Sequence, residues 1–387
     1  ALVAGGEAMR SLEVAMRAGA LPPWPPPPAH ARPPNPRDHV AGAMAALELL
    51  WPTEVYPLYE QGSRHAAGLT QRQAVEEAAA RWSAASTVAA ANPTAWLGEE
   101  RTPAEIATVG ERNRMVAWPY PKLLTAQLGV DQSAAVLVTS TDHAAALRIP
   151  EDRWVYPRGG AVAAEPDDVL ARSTFERTAA GDAVLDGALA LADLAVEDLD
   201  LVELYSCFPC IPRMAAGHLG LDPAVPTTVT GGLTFFGGPA NDYMLHAVVA
   251  MTRALRDNRG EHGLLYGQGG YATKHHAMTL TRRPADDGYA VDDAGARQAS
   301  VDAEPRPPFE PAFEGEGTIE TFTVPFGRDG TPARAVVVGR RPDGRRFAGD
   351  LAPEPAAIAV LTDLDDEPVG RPVRARVVAE RQIVELA

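Results

Sequence analysis

The sequence predicts a layered α/β body followed by a small β-barrel, and three observations predict it. Between residues 131 and 281, apolar strand-like runs alternate with segments of helical period, the pattern of a sheet covered by helices. After about residue 283 the texture changes. Short runs of period two, such as Thr318-Ile-Glu-Thr-Phe-Thr-Val324, are separated by tight turns at Arg328-Asp-Gly330 and Pro342-Asp-Gly344. A stretch rich in Asp, Glu, Ala and Pro, residues 284–315, lies between the two textures and reads as a linker. Many short strands joined by tight turns close into a barrel, here over 316–387.

A chain of 387 residues is long enough for two or three domains and a large core. Hydrophobic content of 46% and charged content of 22% are those of a globular protein. The net charge of −16 would repel a phosphate backbone and argues against a nucleic-acid partner. The longest apolar runs fall well short of a membrane span. Two cysteines argue against a disulfide scaffold and fit a reducing cytoplasm, the expected location. The chain opens Ala1-Leu-Val-Ala-Gly-Gly-Glu-Ala-Met9, without an initiating methionine, a basic leader or a long apolar core. The expectation is a fragment whose upstream part is missing.

Residues 1–5 read as a buried strand, ended by Gly5-Gly6 and followed by a short helix. Residues 21–36 carry too many prolines for helix or central strand and read as a polyproline-like loop. Residues 39–50 and 70–90 read as Ala-rich helices, the second capped by Thr70. Thr102-Pro-Ala-Glu105 is a capping box opening a third helix. Asn92-Pro-Thr-Ala-Trp96 is a turn. The mix of Arg114, Trp118, Tyr120 and Lys122 suits either a grip on a phosphorylated ligand or an interdomain packing loop. Residues 134–138 read as a buried strand, with Asp142 capping the helix after it. Residues 154–156 and 160–163 are strand pieces, and residues 182–194 form an amphipathic helix. Strands are expected at 199–204, 263–266 and 277–281, with helices at 211–219, ended by Gly220, and at 242–256, capped by Asn241.

Function is expected at three corners between residues 198 and 280, where strand-like runs break into small residues bearing polar side chains. Ends of strands are where ligands sit in open α/β sheets. The corners are Tyr205-Ser-Cys-Phe208, Gly231-Gly-Leu-Thr-Phe-Phe-Gly-Gly-Pro239 and Tyr266-Gly-Gln-Gly-Gly270. Both cysteines, Cys207 and Cys210, lie at the first of them, and His275 and His276 follow the third. Cys207 reads either as a nucleophile or as a small apolar packing residue. Cys207-Phe-Pro-Cys210 also has redox spacing, and two cysteines near histidines admit a zinc site.

At these corners the chain resembles the thiolase superfamily, and most closely the sterol-carrier-protein-like thiolases and the thiolase-like proteins named acetyl-CoA acetyltransferases. Glu203-Leu-Tyr-Ser-Cys-Phe208 resembles the family's His-Asp-Cys-Phe loop, Gly237-Gly-Pro239 its Gly-His-Pro loop, and Tyr266-Gly-Gln-Gly-Gly270 its Cys-x-Gly loop. Ala4-Gly-Gly-Glu-Ala-Met9 and Asp131-Gln-Ser-Ala-Ala135 resemble two further segments in family order. The resemblance implies a five-layered α-β-α-β-α fold with a truncated N-terminal half. Residues 1–125 would be the remainder of that half, including a loop domain at about 20–112. Residues 126–283 would be the second half, and 316–387 an additional β-barrel domain.

The resemblance also implies acyl-CoA chemistry: a thiolate takes the acyl group, a histidine activates it, and oxyanion holes hold the intermediates. By the same resemblance the nucleophilic cysteine would precede Ala1. By the resemblance Gly238 stands where a histidine would be and Tyr205 where a histidine or asparagine would be, and Tyr266-Gly-Gln-Gly269 lacks the second cysteine. Cys207 with His275 is the candidate nucleophile and base. Tyr205 and Gln268 are candidate donors to a carbonyl oxygen. Arg114, Lys122, Gly237, Gly238 and Asn241 are candidate ligand-binding positions, Asn241 also serving as a cap. The implied function is a thiolase-like acyltransferase of lipid or sterol metabolism. The alternative is an inactive protein that binds CoA or acyl-CoA, acting as a homo-oligomer or partner subunit. Coenzyme A or acyl-CoA is expected as substrate, with no permanently bound cofactor and no metal.

Overall fold

A computed structural model describes residues 1–22, 24–25, 35–223, 225–286 and 288–387. Most of the proline-rich stretch at 21–36 lies outside the described residues. The chain begins with β1 (Leu2–Ala8) and α1 (Met9–Arg17). Then come α2 (Gly42–Ala46), α3 (Pro52–Ala66), α4 (Gln71–Ala91) and α5 (Pro103–Ala107). The cap expected at Thr70 and the capping box expected at Thr102 are both formed, each as a full capping box: each hydroxyl accepts from the backbone three residues on, and Gln73 and Glu105 reach back. Of the helix expected over 39–50, only the short α2 is present.

The hairpin β2 (Met115–Ala117) and β3 (Tyr120–Pro121) precedes β4 (Asp131–Leu137) and α6 (Thr141–Ala146). Ser140, not Asp142, caps α6 by accepting from His143 N–H. β1 and β4 pair as an antiparallel ribbon, Leu2 opposite Leu137. The two expected buried strands are therefore exposed: a ribbon of two strands has no second layer against its outer face among the described residues, and Leu2 and Leu137 are 67% and 81% exposed.

The central sheet has the order β5-β8-β7-β6, made of β5 (Tyr156–Ala164), β6 (Leu201–Leu204), β7 (His262–Gly269) and β8 (Lys274–Thr281). β6 and β7 are parallel; the other pairs are antiparallel. Successive residues of β7 enter different cores. Leu264 and Tyr266 pack with Val184 and Leu185 of α7 (Ala179–Ala192). Leu265 packs with Ala247, Met251 and Leu255 of α9 (Tyr243–Arg256). Burial on both faces is why this strand reads as a continuous apolar run. α8 (Cys210–Leu219) follows the first corner and ends on Gly220 with φ 63°. Asn241 is not the cap of α9: that position is Asp242, and no side chain bonds the first turn.

The presumed linker contains α10 (Ala294–Asp302), which packs on the free edge of β5. Gln298 accepts from Ala164 N–H and donates to Ala164 C=O, so side chains finish the sheet edge. The tail forms a closed barrel of β9 (Gly315–Thr323), β10 (Val336–Arg340), β11 (Arg346–Leu351), β12 (Pro372–Val378) and β13 (Arg381–Leu386), in the order β10-β11-β13-β12-β9. Helix α11 (Pro355–Leu361) lies between β11 and β12, and β11 runs parallel to β13. This is the strand order of an OB-fold. The main departure from the sequence reading is α3. It is buried without interruption from Val55 to Arg64, wedged between the barrel and the α/β body. No described helix is long and apolar enough to cross a membrane.

Candidate functional site

The parallel pairing of β6 and β7 brings the first and third corners side by side. Leu204 lies opposite Tyr266, and Tyr205 N–H donates to Tyr266 C=O at 3.1 Å. The second corner is tied to the first by Glu203. This fully buried carboxylate accepts from the N–H groups of Val229 and Thr230 and from the hydroxyls of Thr228 and Tyr243. A charged residue inside the apolar strand Leu201-Val-Glu-Leu204 was the available signal that such a cage exists. A single π-helical turn, Gly232–Phe236, then carries the chain to Gly237, whose φ of 123° suits glycine.

Cys207 is buried, and its Sγ lies 3.1 Å from Gln268 Nε2. Burial pushes its thiol up to about 12, so it is a neutral thiol at physiological pH. His275 is not its base. Burial, reinforced by the nearby Arg172 guanidinium, lowers His275 to about 3. Its Nε2 lies 2.9 Å from Ala272 C=O and its Nδ1 2.8 Å from the Tyr266 hydroxyl. A neutral ring satisfies both by donating from Nε2 and accepting at Nδ1. Both nitrogens are thus engaged, and the structure does not bring His275 to Cys207. Gln268 is equally occupied: Nε2 donates to the Tyr56 hydroxyl and to Cys207 Sγ, and Oε1 accepts from Ala272 N–H. Tyr205 differs. Its ring stands edge-on to Tyr243 at 5.6 Å, burial raises its hydroxyl pKa, and among the described residues no side chain hydrogen-bonds that hydroxyl.

The remaining predicted residues are scattered. Arg114 donates to Met115 C=O, and Lys122 is exposed on the same β2–β3 hairpin, which packs on the barrel through Trp118 N–H to Val324 C=O. Neither contacts the three corners through a hydrogen bond or ion pair among the described residues. Gly237 and Gly238 do lie at the second corner. A Cβ on Gly237 would meet Gln132 Oε1 at 2.5 Å, and Gly238 N–H donates to Gln127 C=O. Asn241 is exposed, with its N–H directed to Glu7. Among the described residues no cluster of three or more His, Cys, Asp and Glu side chains could hold a metal ion.

Beside the corners a cleft of about 230 Å³ opens between α4 and the segment after α8, lined by Glu77, Arg81, Ala84, Val225, Thr227 and Thr228. It adjoins a narrow recess at Trp82, Ser206, Gly232 and Phe235, and the two share Arg81, Ala85, Thr227 and Thr228. Burial opposes ionisation of Glu77, but Arg213 and Arg81 outweigh it and hold the carboxyl below its usual range. Arg213 also pairs with the buried Glu60 of α3. Reading the sequence missed Tyr56, Glu60 and Arg172, whose partners Gln268, Arg213 and Ala272 lie far away in the chain and leave no local pattern.

The family model described as the thiolase-like protein type 1 additional C-terminal domain matches residues 297–378. No curated protein matches the chain. Among solved structures, a monomeric SCP2-thiolase-like protein type 1 from Mycobacterium smegmatis is 33% identical, with a TM-score of 0.81. That match covers 90% of this chain and 76% of the other. An Ltp2-ChsH2(DUF35) aldolase is 17% identical with a TM-score of 0.51, over 62% of this chain and 66% of that one, and shares the fold alone. With the barrel matched by the family's own domain and the whole architecture shared at one-third identity, this chain belongs to the SCP2-thiolase-like protein type 1 family.

Proposed function

We propose that this chain binds a coenzyme A thioester in the cleft beside the three corners, without using its own thiols as nucleophiles. The observation that carries the reading is the state of Cys207. It is buried, neutral and covered by Gln268, and it lines neither the cleft nor the narrow recess at Ser206 and Gly232 beside the same corner. Of the two functions implied by the thiolase resemblance, this favours the CoA-binding protein over the acyltransferase. The cleft suits a pantetheine arm: Ala84, Ala85 and Val225 supply apolar wall, with Arg81 beside them for an anionic group. The named relative is monomeric, and the Ltp2-ChsH2(DUF35) aldolase is named with a DUF35 component; either arrangement suits a binding role.

Calorimetric titration with CoA and acetyl-CoA tests the reading, alongside thiolysis of acetoacetyl-CoA. Binding is expected, with at least a tenfold loss in Ala85→Trp, whose indole fills the channel, and no loss in Cys207→Ala. Turnover of acetoacetyl-CoA that disappears in Cys207→Ala would overturn it, as would wild-type affinity in Ala85→Trp.

A further inference from the structure

The turn between β7 and β8 is held to an unusual degree. Four consecutive carbonyls are each gripped from outside it. Gly270 C=O accepts from the Tyr56 hydroxyl, Tyr271 C=O from the Tyr59 hydroxyl, Ala272 C=O from Arg172 and Thr273 C=O from Glu165 N–H. Within this turn Ala272 has φ 54°, the left-handed region that an alanine enters only under constraint. The same turn presents Ala272 N–H to Gln268, which covers Cys207. Its conformation and the shielding of the thiol are therefore one arrangement.

The grips come from two places, α3 and the segment 165–172, and the barrel rests on both. Thr321 of β9 donates its hydroxyl to Leu58 C=O of α3 at 2.6 Å. Arg346 of β11 is fully buried; it pairs with Glu320 and donates to the carbonyls of Leu170 and Arg172. The Arg172 guanidinium in turn lies over the Tyr59 ring, pairs with Glu165 and bonds both the Tyr59 hydroxyl and Ala272 C=O. β10 and β11 form the face that holds ligands in OB-folds, and both are buried here. On β11, Arg346 turns that face to this chain's own 170–173 segment.

We propose that the barrel is a built-in clamp for the site: Thr321 and Arg346 are positioning residues that hold the 269–273 turn, through α3 and the 170–173 segment, in the form that covers Cys207. A chain of contacts alone does not demonstrate coupling, so the test perturbs one end and reads the other. The ligand readout rests on the thioester reading above; the thiol readout does not.

The experiment measures alkylation of Cys207 by iodoacetamide in the full chain, with peptide mass mapping to separate it from Cys210, and CoA affinity by calorimetry. Thr321→Val removes one hydroxyl without changing shape and should speed labelling of Cys207 about tenfold, with a severalfold loss of CoA affinity. Thr321→Ser keeps the hydroxyl and should restore the wild-type rate. Arg346→Gln should speed labelling further; where it fails to fold, the Thr321 pair decides. Leu255→Ala, in the core on the other face of the sheet, should lower the melting temperature without changing the labelling rate. Wild-type labelling in Thr321→Val and in folded Arg346→Gln would overturn the clamp. So would Leu255→Ala labelling as fast as they do, since that reports general loosening. Failure of the wild type to bind CoA would overturn the thioester reading and leave the labelling series to decide the clamp.

Discussion

The reactivity of Cys207 decides between an enzyme and a binding protein, and its size can be worked out. The perturbation is an aromatic disulfide reagent at pH 8, followed by release of its coloured thiolate. An ordinary cysteine near 8.5 is about one-quarter thiolate at that pH, whereas a thiol at about 12 is ionised to roughly one part in ten thousand. That is a loss of about three and a half orders of magnitude in reactive species. A more basic thiolate is a better nucleophile, with a Brønsted slope of about 0.4–0.5, and this recovers about one and a half orders. About a hundredfold suppression remains before access is considered, and burial adds to it. Cys210 is also buried and its thiol raised by burial, so products are assigned by peptide mass. Gln268→Ala removes the cover and admits water to Sγ; because burial is the main cause of the raised thiol, labelling should accelerate at least tenfold. A Cys207 that reacts in the native protein as fast as a free thiol, or titrates below 8.5, would refute the reasoning and return the acyltransferase to first place.

Replacing Glu203 by Ala strands the N–H groups of Val229 and Thr230 in the core and should cost about 3–5 kcal/mol in a denaturant melt; a loss under about 1 kcal/mol would show that water replaces the carboxylate. His275 is held neutral in the folded protein, depressed to about 3 from an unfolded value near 6.5. Its contribution is therefore present above pH 6.5 and lost as the pH falls towards 3. About 2 kcal/mol should go between pH 7 and pH 5, and His275→Asn should remove that part of the slope. Gly62→Ala in α3 improves helix propensity by about 1 kcal/mol but drives a Cβ to 2.6 Å from Phe175 C=O, so a net loss of roughly 1–3 kcal/mol is expected, and a higher melting temperature would contradict the packing.

The sequence disclosed those parts of the molecule whose pattern is local. The strands at 199–204, 263–266 and 277–281 and the run 318–324 follow from period two or continuous apolar residues and are found as β6, β7, β8 and β9, whereas β11 and β13 were not expected individually. No element was expected over α3, where Pro52 and Pro57 weaken a helix pattern and Glu60, Gln61, Ser63 and Arg64 interrupt the apolar one. Glu60 and Arg64 can be buried because partners outside the helix, Arg213 and Glu367, satisfy their charges. The opposite error occurred at β1 and β4, whose apolar residues predicted burial that a two-stranded ribbon does not provide. At the site, three functional corners were expected from their strand-to-loop pattern, but the side-by-side placing of the first and third comes from the parallel pairing of β6 and β7. The assignment of Cys207 and His275 as a pair failed on a longer-range fact. Tyr266, one strand away, and Ala272, inside the turn, take both nitrogens of the imidazole.

The hydrogen bonds at the corners also explain how tightly this site is held. Polar atoms left unpaired in a buried site destabilise the resting protein. Here the groups at the first and third corners spend their hydrogen bonds on one another: Gln268 on Tyr56, Cys207 and Ala272, His275 on Tyr266 and Ala272, Glu203 on the second corner. The Gln268 and His275 bonds to Ala272 that would have to break for chemistry contribute to holding the turn. A Cβ on Gly238 would meet Ala126, Gln127 and Leu128 at 3.4–3.5 Å, whereas at Gly267, within the third corner, the space is already taken. A Cβ on Gly267 would approach Met244 Cγ to 2.8 Å, close enough to force that side chain aside. Activity gained by Gly267→Cys would have to come with measurable loss of stability; activity gained without it would mean the network is looser in solution than its geometry implies.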